Sequence, residues 1–163
     1  MTTDKKPKAG TTRVLDMRYL EGTIGYSIRR AQMAVFQSIY KAFGDQALTL
    51  VQFSVMAVTA DNPEITQAEL AEILAVERPR IVPLLNKLEE LGLAQRLVCD
   101  ADKRNRRIVL TTKGHKLLAE LKRRFAEHER QLDAHMGSDK ARLLRMLHRL
   151  SSVSAVVKSS ELA

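Results

Sequence analysis

One short stretch concentrates side chains that can hydrogen-bond to the edges of base pairs. From residue 78 the chain reads Arg78-Pro79-Arg80-Ile81-Val82-Pro83-Leu84-Leu85-Asn86-Lys87. Arginine can take guanine through two hydrogen bonds, asparagine can take adenine, and a Val or Pro can meet a thymine methyl. A second cluster follows at Asp102-Lys103-Arg104-Asn105-Arg106-Arg107. Between Gln95 and Arg107 five basic residues stand against two acidic ones, a net +3. An arginine at the tip of a turn fits a narrow minor groove, where negative potential is strongest. Asp102, two residues from Arg104, is short enough to hold that arginine extended. The whole chain carries 27 Lys and Arg against 19 Asp and Glu, a formal +8. A balance of that size favours a polyanionic partner, nucleic acid before anionic membrane.

Other chemistries find little support. Gly22-Thr23-Ile24-Gly25 lacks the lysine of a phosphate-binding loop. The four histidines (His115, His128, His135, His148) are dispersed. His128 and His135 share a helical face but lie about 10 Å apart along it, too far to chelate one ion. Cys99 has no second cysteine to resolve it, and reads as a strand residue in a chain suited to a reducing cytoplasm. No acid–base constellation appears, so neither an enzyme nor a resident cofactor or metal is expected. Trp is absent and aromatics make up 4%, which disfavours base stacking on single strands and leaves double-stranded DNA. Apolar runs stay far below the roughly 20 residues of a membrane span. Residues 1–14 read as a disordered basic tail without a secretory signal.

The elements that must position these clusters follow from periodicity and caps. Leu20, Ile24, Ile28, Ala31, Val35, Ile39 and Ala42 recur at spacings of three and four, which predicts one long helix over 15–43, stopped by Gly44. Gly22 and Gly25 loosen its first turns. An apolar stripe this long beside a small domain points to a partner subunit. Thr49 with Gln52 is a capping box opening a helix over 50–60, ended by Asn62-Pro63. Thr66 with Glu69 is a second box, and Ile65 with Leu70 forms a hydrophobic staple. A helix is therefore expected from Thr66 to about Leu74, with Ala71 and Ala75 as small contacts against the next one.

That next helix is expected over 78–91, stopped by Gly92, with Ile81, Leu84, Leu85 and Leu88 inward. Pro79 suits its first position. Pro83 fits poorly, and predicts a late start or a kink. Strands at 93–99 and 107–111 flank a turn at 100–105. A helix over 112–136 is lined by Leu117, Leu121, Phe125, His128 and Leu132. A last one from Ser138 turns Leu143, Met146, Leu147, Leu150, Val153 and Val157 inward. The order is helix, helix, helix-turn-helix, hairpin, helix, helix.

Residues 50–114 resemble the MarR family of winged-helix regulators. The likeness rests on Leu88-Glu89-Glu90-Leu91-Gly92-Leu93, on Asp102-Lys103-Arg104, and on Leu110-Thr111-Thr112-Lys113-Gly114. The resemblance implies that Arg104 is the minor-groove arginine of the wing, with Asp102 orienting it. It implies that Arg80, Asn86 and their neighbours face the major groove, and that the first and last helices interleave with those of a second subunit. It also implies a pocket for an aromatic acid or related effector. The segment from Leu20 to Ala31 is similar to the subgroup that answers to hydroxycinnamoyl-CoA thioesters such as p-coumaroyl-CoA. Tyr19 and Tyr26, seven apart, would share a helical face. Arg29 and Arg30 could pair with a carboxylate or a CoA phosphate. Met33, Phe36, Tyr40, Phe53 and Met56 could wall the aromatic part. A dimer core and a surface charge pair would use the same residues.

The expected fold is mainly α (α+β): a winged helix-turn-helix with long terminal helices forming a dimerisation domain. It divides into the tail at 1–14, a dimerisation helix at 15–48, a DNA-binding lobe at 49–111 and dimerising helices at 112–163. The expected function is a cytoplasmic, homodimeric, ligand-responsive repressor that leaves a pseudo-palindromic operator when its small-molecule effector binds. Thr66, Gln67, Arg78, Arg80, Val82, Pro83, Asn86, Lys87, Asp102, Lys103, Arg104 and Arg106 are the expected DNA contacts. Tyr19, Tyr26, Arg29, Arg30, Met33, Phe36, Tyr40 and Phe53 are the expected ligand contacts. A non-enzymatic acyl-CoA or aromatic-binding protein and a non-specific nucleoid-type binder are the alternatives.

Overall fold

The computed structural model describes residues 16–44, 48–99 and 102–152, with the side chains of residues 98, 99 and 102–105 left aside. The expected tail, Val153 and Val157, and the Asp100-Ala101 turn lie outside the described residues. The chain divides into two units, Met1–Phe36 and Gln37–Ala163.

In the first unit the expected single helix is two. Helix α1 covers Arg18–Glu21 and α2 covers Ile24–Phe43, the latter running on into the second unit. Gly22 closes α1, and Thr23 restarts the chain. The Thr23 hydroxyl donates to Leu20 O (2.8 Å) and accepts from Tyr26 N (3.4 Å), the work of an N-cap. Helical phase is lost at this break, so Tyr19 and Tyr26 do not share a face. Tyr19 is 85% exposed.

In the second unit α2 ends as expected at Gly44, whose φ of +68° lets its N–H reach back to Tyr40 O and Lys41 O. Helix α3, Leu50–Asp61, is apolar on most of its surface and forms the centre of the core, with Phe53, Val55 and Met56 buried. Both capping boxes form as read. Thr49 closes on Gln52, and Thr66 on Glu69. Ile65 and Leu70, the staple, are buried beneath α4, Gln67–Ile73.

The turn after α4 corrects one expectation. Ala71 is buried at the helix crossing, but Ala75 is exposed at φ +50° and serves as the turn residue. Helix α5 covers Arg78–Glu90 without interruption. It starts at Arg78, so Pro79 is its second residue, and it passes through Pro83 rather than beginning after it. Its end is a Schellman turn. Gly92 N donates to Glu89 O and Leu93 N to Leu88 O, both at 2.8 Å, with Gly92 at φ +66°. Leu88 and Leu93, the hydrophobic pair of that motif, are both buried.

The hairpin pairs β1, Ala94–Cys99, with β2, Asp102–Leu110. The register runs from Ala94↔Leu110 to Val98↔Arg106, then jumps to Cys99↔Asp102. Residues 103–105 thus belong to an irregular strand segment, not to the loop expected at 100–105. Ile65 and Thr66 lie along β2 as a stub of a third strand: Ile108 N donates to Ile65 O (2.9 Å), and Thr66 bridges Arg107. The helix-turn-helix and the hairpin are thereby tied together.

Helix α6, Thr112–Met136, buries Leu118, Leu121 and His128. Leu118 takes the inward place expected of Leu117, which is half-buried. Gly137 caps α6 with φ +52°, and a short 3-10 turn, Gly137–Asp139, precedes α7, Lys140–Ser151. No residue of α7 is buried. Leu143, Met146, Leu147 and Leu150, expected inward, stand 37–51% exposed. The amphipathic face is there, but among the described residues nothing covers it.

Candidate nucleic-acid interface

Ile81, Leu85 and Leu88 anchor α5 in the core. That fixes which side faces out. Arg78, Pro79, Arg80, Val82, Pro83, Asn86 and Lys87 are all exposed. Arg78 and Arg80 have no ion-pair partner among the described residues. Lys87 meets Glu90 at 3.1 Å on the surface, a contact that solvent screens. The outer face thus offers cationic and amide donors along a helix, the element that fits a major groove.

Charge in the hairpin is less free than its sequence count implies. Arg96 is largely withdrawn from solvent and forms an ion pair with Glu89 of α5. Its backbone N–H also donates to Glu89 Oε1 (2.9 Å), and Nη2 donates to Asn86 Oδ1 (2.8 Å). Arg107 pairs with Glu64, whose φ is +70°. Two of the five hairpin cations therefore brace the lobe. Arg106 is exposed with no ion-pair partner among the described residues. The expected holding of Arg104 by Asp102, and the part of Lys103, concern side chains outside the described ones.

Thr66 and Gln67 are half-buried. The Thr66 hydroxyl accepts from Glu69 N (3.3 Å) and donates to Glu69 Oε2 (2.7 Å), so the cap has consumed it. In that arrangement Thr66 positions the first helix of the helix-turn-helix. The reciprocal bonds from Thr66 N and Oγ1 hold the Glu69 carboxyl below its ordinary range.

The junction behind the hairpin went unexplained in the sequence. Thr111 Oγ1 caps α6 by accepting from Gly114 N (3.0 Å), and it donates to Gly92 O (2.7 Å). Thr111 N donates to Leu93 O (3.0 Å), and Lys113 Nζ to Leu91 O (2.8 Å). A Cβ on Gly114 would lie 2.0 Å from Leu93 O. The Leu-Thr-x-x-Gly pattern is thus a clasp on the end of α5. Glu89 and Arg96 were likewise missed as a pair. Their signal is an acid in the last helical turn and a base just past the Gly92 reversal.

The expected ligand residues divide between the units. In the first unit Tyr26 and Arg30 line an open cleft of about 580 Å³ with Met17, Glu21 and Ser27. Tyr19 and Arg29 do not line it; Met33 is exposed and Phe36 half-buried. In the second unit Tyr40 is exposed, and its hydroxyl accepts from Leu50 N (3.4 Å). Phe53 is a core residue, its ring 5.1 Å from Phe43 and 5.3 Å from Phe125 between centroids. Met56 is fully buried. Among the described residues no three His, Cys, Asp or Glu side chains cluster as a metal would require, and no helix is long and apolar enough to cross a membrane.

Residues 48–105 match the model of the MarR family. A transcriptional repressor, CouR, solved on a 23-mer DNA duplex, is 35% identical, with a TM-score of 0.80 over 85% of this chain and 99% of that one. The chain belongs to the MarR family. A second CouR structure, bound to p-coumaroyl-CoA, is 33% identical, with a TM-score of 0.75, covering 86% and 98% of the two chains. A relative in sequence is a putative transcriptional regulatory protein for the hcr operon of Thauera aromatica. It is 28% identical over 133 residues, 80% of either chain. The winged helix-turn-helix is the family's fold, and the chain is a MarR-type transcriptional regulator.

Proposed function

We propose that this MarR chain represses transcription as a homodimer on a pseudo-palindromic duplex site and leaves that site when it binds an aromatic acid or its CoA thioester, p-coumaroyl-CoA in the first instance. The observation that carries the DNA part is the outer face of α5, where every exposed residue between Arg78 and Lys87 is either a donor or a small apolar contact. In this reading Arg78, Arg80, Val82, Pro83, Asn86 and Lys87 meet the major groove. Asp102, Lys103, Arg104 and Arg106 belong to the wing. Two lobes would engage successive major grooves one helical turn apart. Action on chromosomal DNA implies a cytoplasmic place of work.

The uncovered faces of α2 and α7 support dimerisation. Ile24, Ile28, Leu144 and Met146 are exposed in the single chain, an apolar area that a second copy would cover. The terminal segments 15–48 and 112–163 then form the dimerisation part, and 49–111 the DNA-binding lobe. For the effector, CouR bound to p-coumaroyl-CoA supplies the chemical class. Arg30 beside Tyr26 in the first-unit cleft offers a guanidinium for a carboxylate or phosphate and a ring for an aromatic group. Such a ligand would act by favouring a lobe spacing that does not fit DNA.

Fluorescence anisotropy with a labelled duplex from upstream of the chain's own gene tests this. Specific binding should exceed that of scrambled duplex by about 10³-fold or more and weaken steeply with salt. It should be lost on adding p-coumaroyl-CoA, with free p-coumarate and CoA as controls. Equal affinity for scrambled duplex would identify a non-specific binder. Thioester binding without any DNA binding would identify an acyl-CoA-binding protein.

A further inference from the structure

We infer that a second cleft, formed by α2 and α6 within the second unit, binds the phosphate group of a small molecule. The cleft has a volume of about 530 Å³. Its lining sets four cations, Lys41, Arg123, Arg124 and Arg130, against one carboxylate, Glu127. Helical spacing brings them together. Arg123, Glu127 and Arg130 lie four and then three residues apart, in one row along α6, and Lys41 stands in the last turn of α2. None of these residues belongs to the cleft of Tyr26 and Arg30 or to the outer face of α5.

The four cations are not equally committed. Arg124 Nη1 donates to Phe43 O (2.8 Å) and its Nη2 pairs with Glu120, so Arg124 serves the end of α2. Arg130 pairs with Glu127. Lys41 and Arg123 are exposed and have no ion-pair partner among the described residues. His128, only 6% exposed, also lines the cleft. Its Nε2 meets Ser38 Oγ at 2.6 Å, while Nδ1 has no hydrogen-bond partner, the Glu129 carboxylate standing 3.7 Å away. A concave site with convergent polar groups differs in this from a flat, solvated basic face. Lys and Arg are donors without acceptors. A phosphate ester brings up to two negative charges and three acceptor oxygens, which matches two unpaired cations where a carboxylate matches one. The apolar face of a second copy would leave both cations buried and unpaired, at a heavy desolvation cost.

The test titrates the full ¹⁵N-labelled chain with inorganic phosphate at constant ionic strength, chloride being the balancing anion. Backbone amide signals of residues 38–42 and 123–131 should shift and saturate. In the double variant Lys41→Gln/Arg123→Gln, checked for folding by its melting curve, the dissociation constant should rise roughly tenfold or more, the effect of losing charge-assisted bonds. Should the pair not fold, either single change read the same way decides. Arg78→Gln/Arg80→Gln removes cations from α5 instead and should leave the constant within about twofold, well short of the loss of one charge-assisted bond. No saturable shift at these residues overturns the inference, and so does an unchanged constant in the cleft variant. A cleft variant whose mass by light scattering differs from wild type also overturns it, because the cleft would then be a contact between copies.

Two carriers share this phosphate chemistry, and competition separates them. CoA that displaces inorganic phosphate from the cleft at a far lower concentration than phosphate itself assigns the site to the CoA part of a thioester. CoA that competes no better than phosphate assigns it to a separate phosphorylated small molecule. Either result supports the site, and only the first rests on the effector reading above. These measurements need no DNA. Their failure leaves the regulator reading intact, and a chain with no duplex preference leaves the phosphate site standing.

Discussion

Gly114→Ala should unfold the clasp between the recognition helix and α6, although helix propensity predicts the opposite. Gly114 is the third residue of α6, and a helical glycine replaced by alanine ordinarily gains up to about 1 kcal/mol. Here the new Cβ would lie 2.0 Å from Leu93 O and 3.0 Å from Leu93 C, both backbone atoms. Leu93 has little freedom to retreat. Its N–H closes the Schellman turn of α5, its carbonyl accepts from Thr111 N at 3.0 Å, and its side chain is buried. Relief therefore means breaking the Thr111–Leu93 bond, about 1 kcal/mol net, and displacing packed backbone, about 1–3 kcal/mol or more. The two costs come to about 2–4 kcal/mol before the propensity gain is subtracted, against a total stability of about 5–15 kcal/mol. Urea denaturation at fixed protein concentration measures it, since a dimer's midpoint moves with concentration. Gly92→Ala is the control. Its φ of +66° costs an alanine about 1–2 kcal/mol, but its Cβ would meet nothing within 4 Å. Gly114→Ala must be the more damaging of the two. A Gly114→Ala protein as stable as wild type would refute the close approach on which the reasoning depends.

Three further outcomes follow from the same contacts. Thr66→Ala should cost about 1 kcal/mol through loss of the α4 cap, with Thr66→Ser retaining most of it. Because bonding to Thr66 holds Glu69 below its ordinary value of 4.5, its contribution is present above that value and is lost as pH falls through the lowered one. The stability gap between wild type and Glu69→Gln should close on acidification, and a gap that stays constant there would count against the capping box. Arg104→Ala should weaken operator binding by about 1–3 kcal/mol if the wing enters the minor groove, and unchanged affinity at matched salt would sink that assignment. Leu147→Glu, on the uncovered face of α7, would put an unpaired charge into the proposed dimer interface at a cost of about 3–5 kcal/mol. Light scattering should then report monomer at micromolar concentration, and a dimer unchanged in mass would place the interface elsewhere.

Which features could be read from residues alone depended on how far apart the interacting groups lie in the chain. The boxes Thr49–Gln52 and Thr66–Glu69 span one helical turn, and the Gly92 cap involves its immediate neighbours; each is a local matter and formed as read. Phase was legible only up to the first break. Gly22 and Thr23 reset the helix, and the shared face of Tyr19 and Tyr26 went with it. Charge was counted correctly but not paired. Arg96 and Arg107 added to the basic total of the hairpin, yet Glu89 and Glu64 neutralise them from other elements. Amphipathicity told that Leu143, Met146, Leu147 and Leu150 seek cover, and carried no information on which molecule provides it. The outward face of α5 was legible because burial of Ile81, Leu85 and Leu88 leaves only one side to face outward. The ligand residues were not, since an aromatic such as Phe53 satisfies a core and a pocket equally well until its neighbours Phe43 and Phe125 are known. Arg96 shows where the two kinds of information meet. Its type adds to the basic count of the hairpin, and its partners Glu89 and Asn86 make it a brace between β1 and α5.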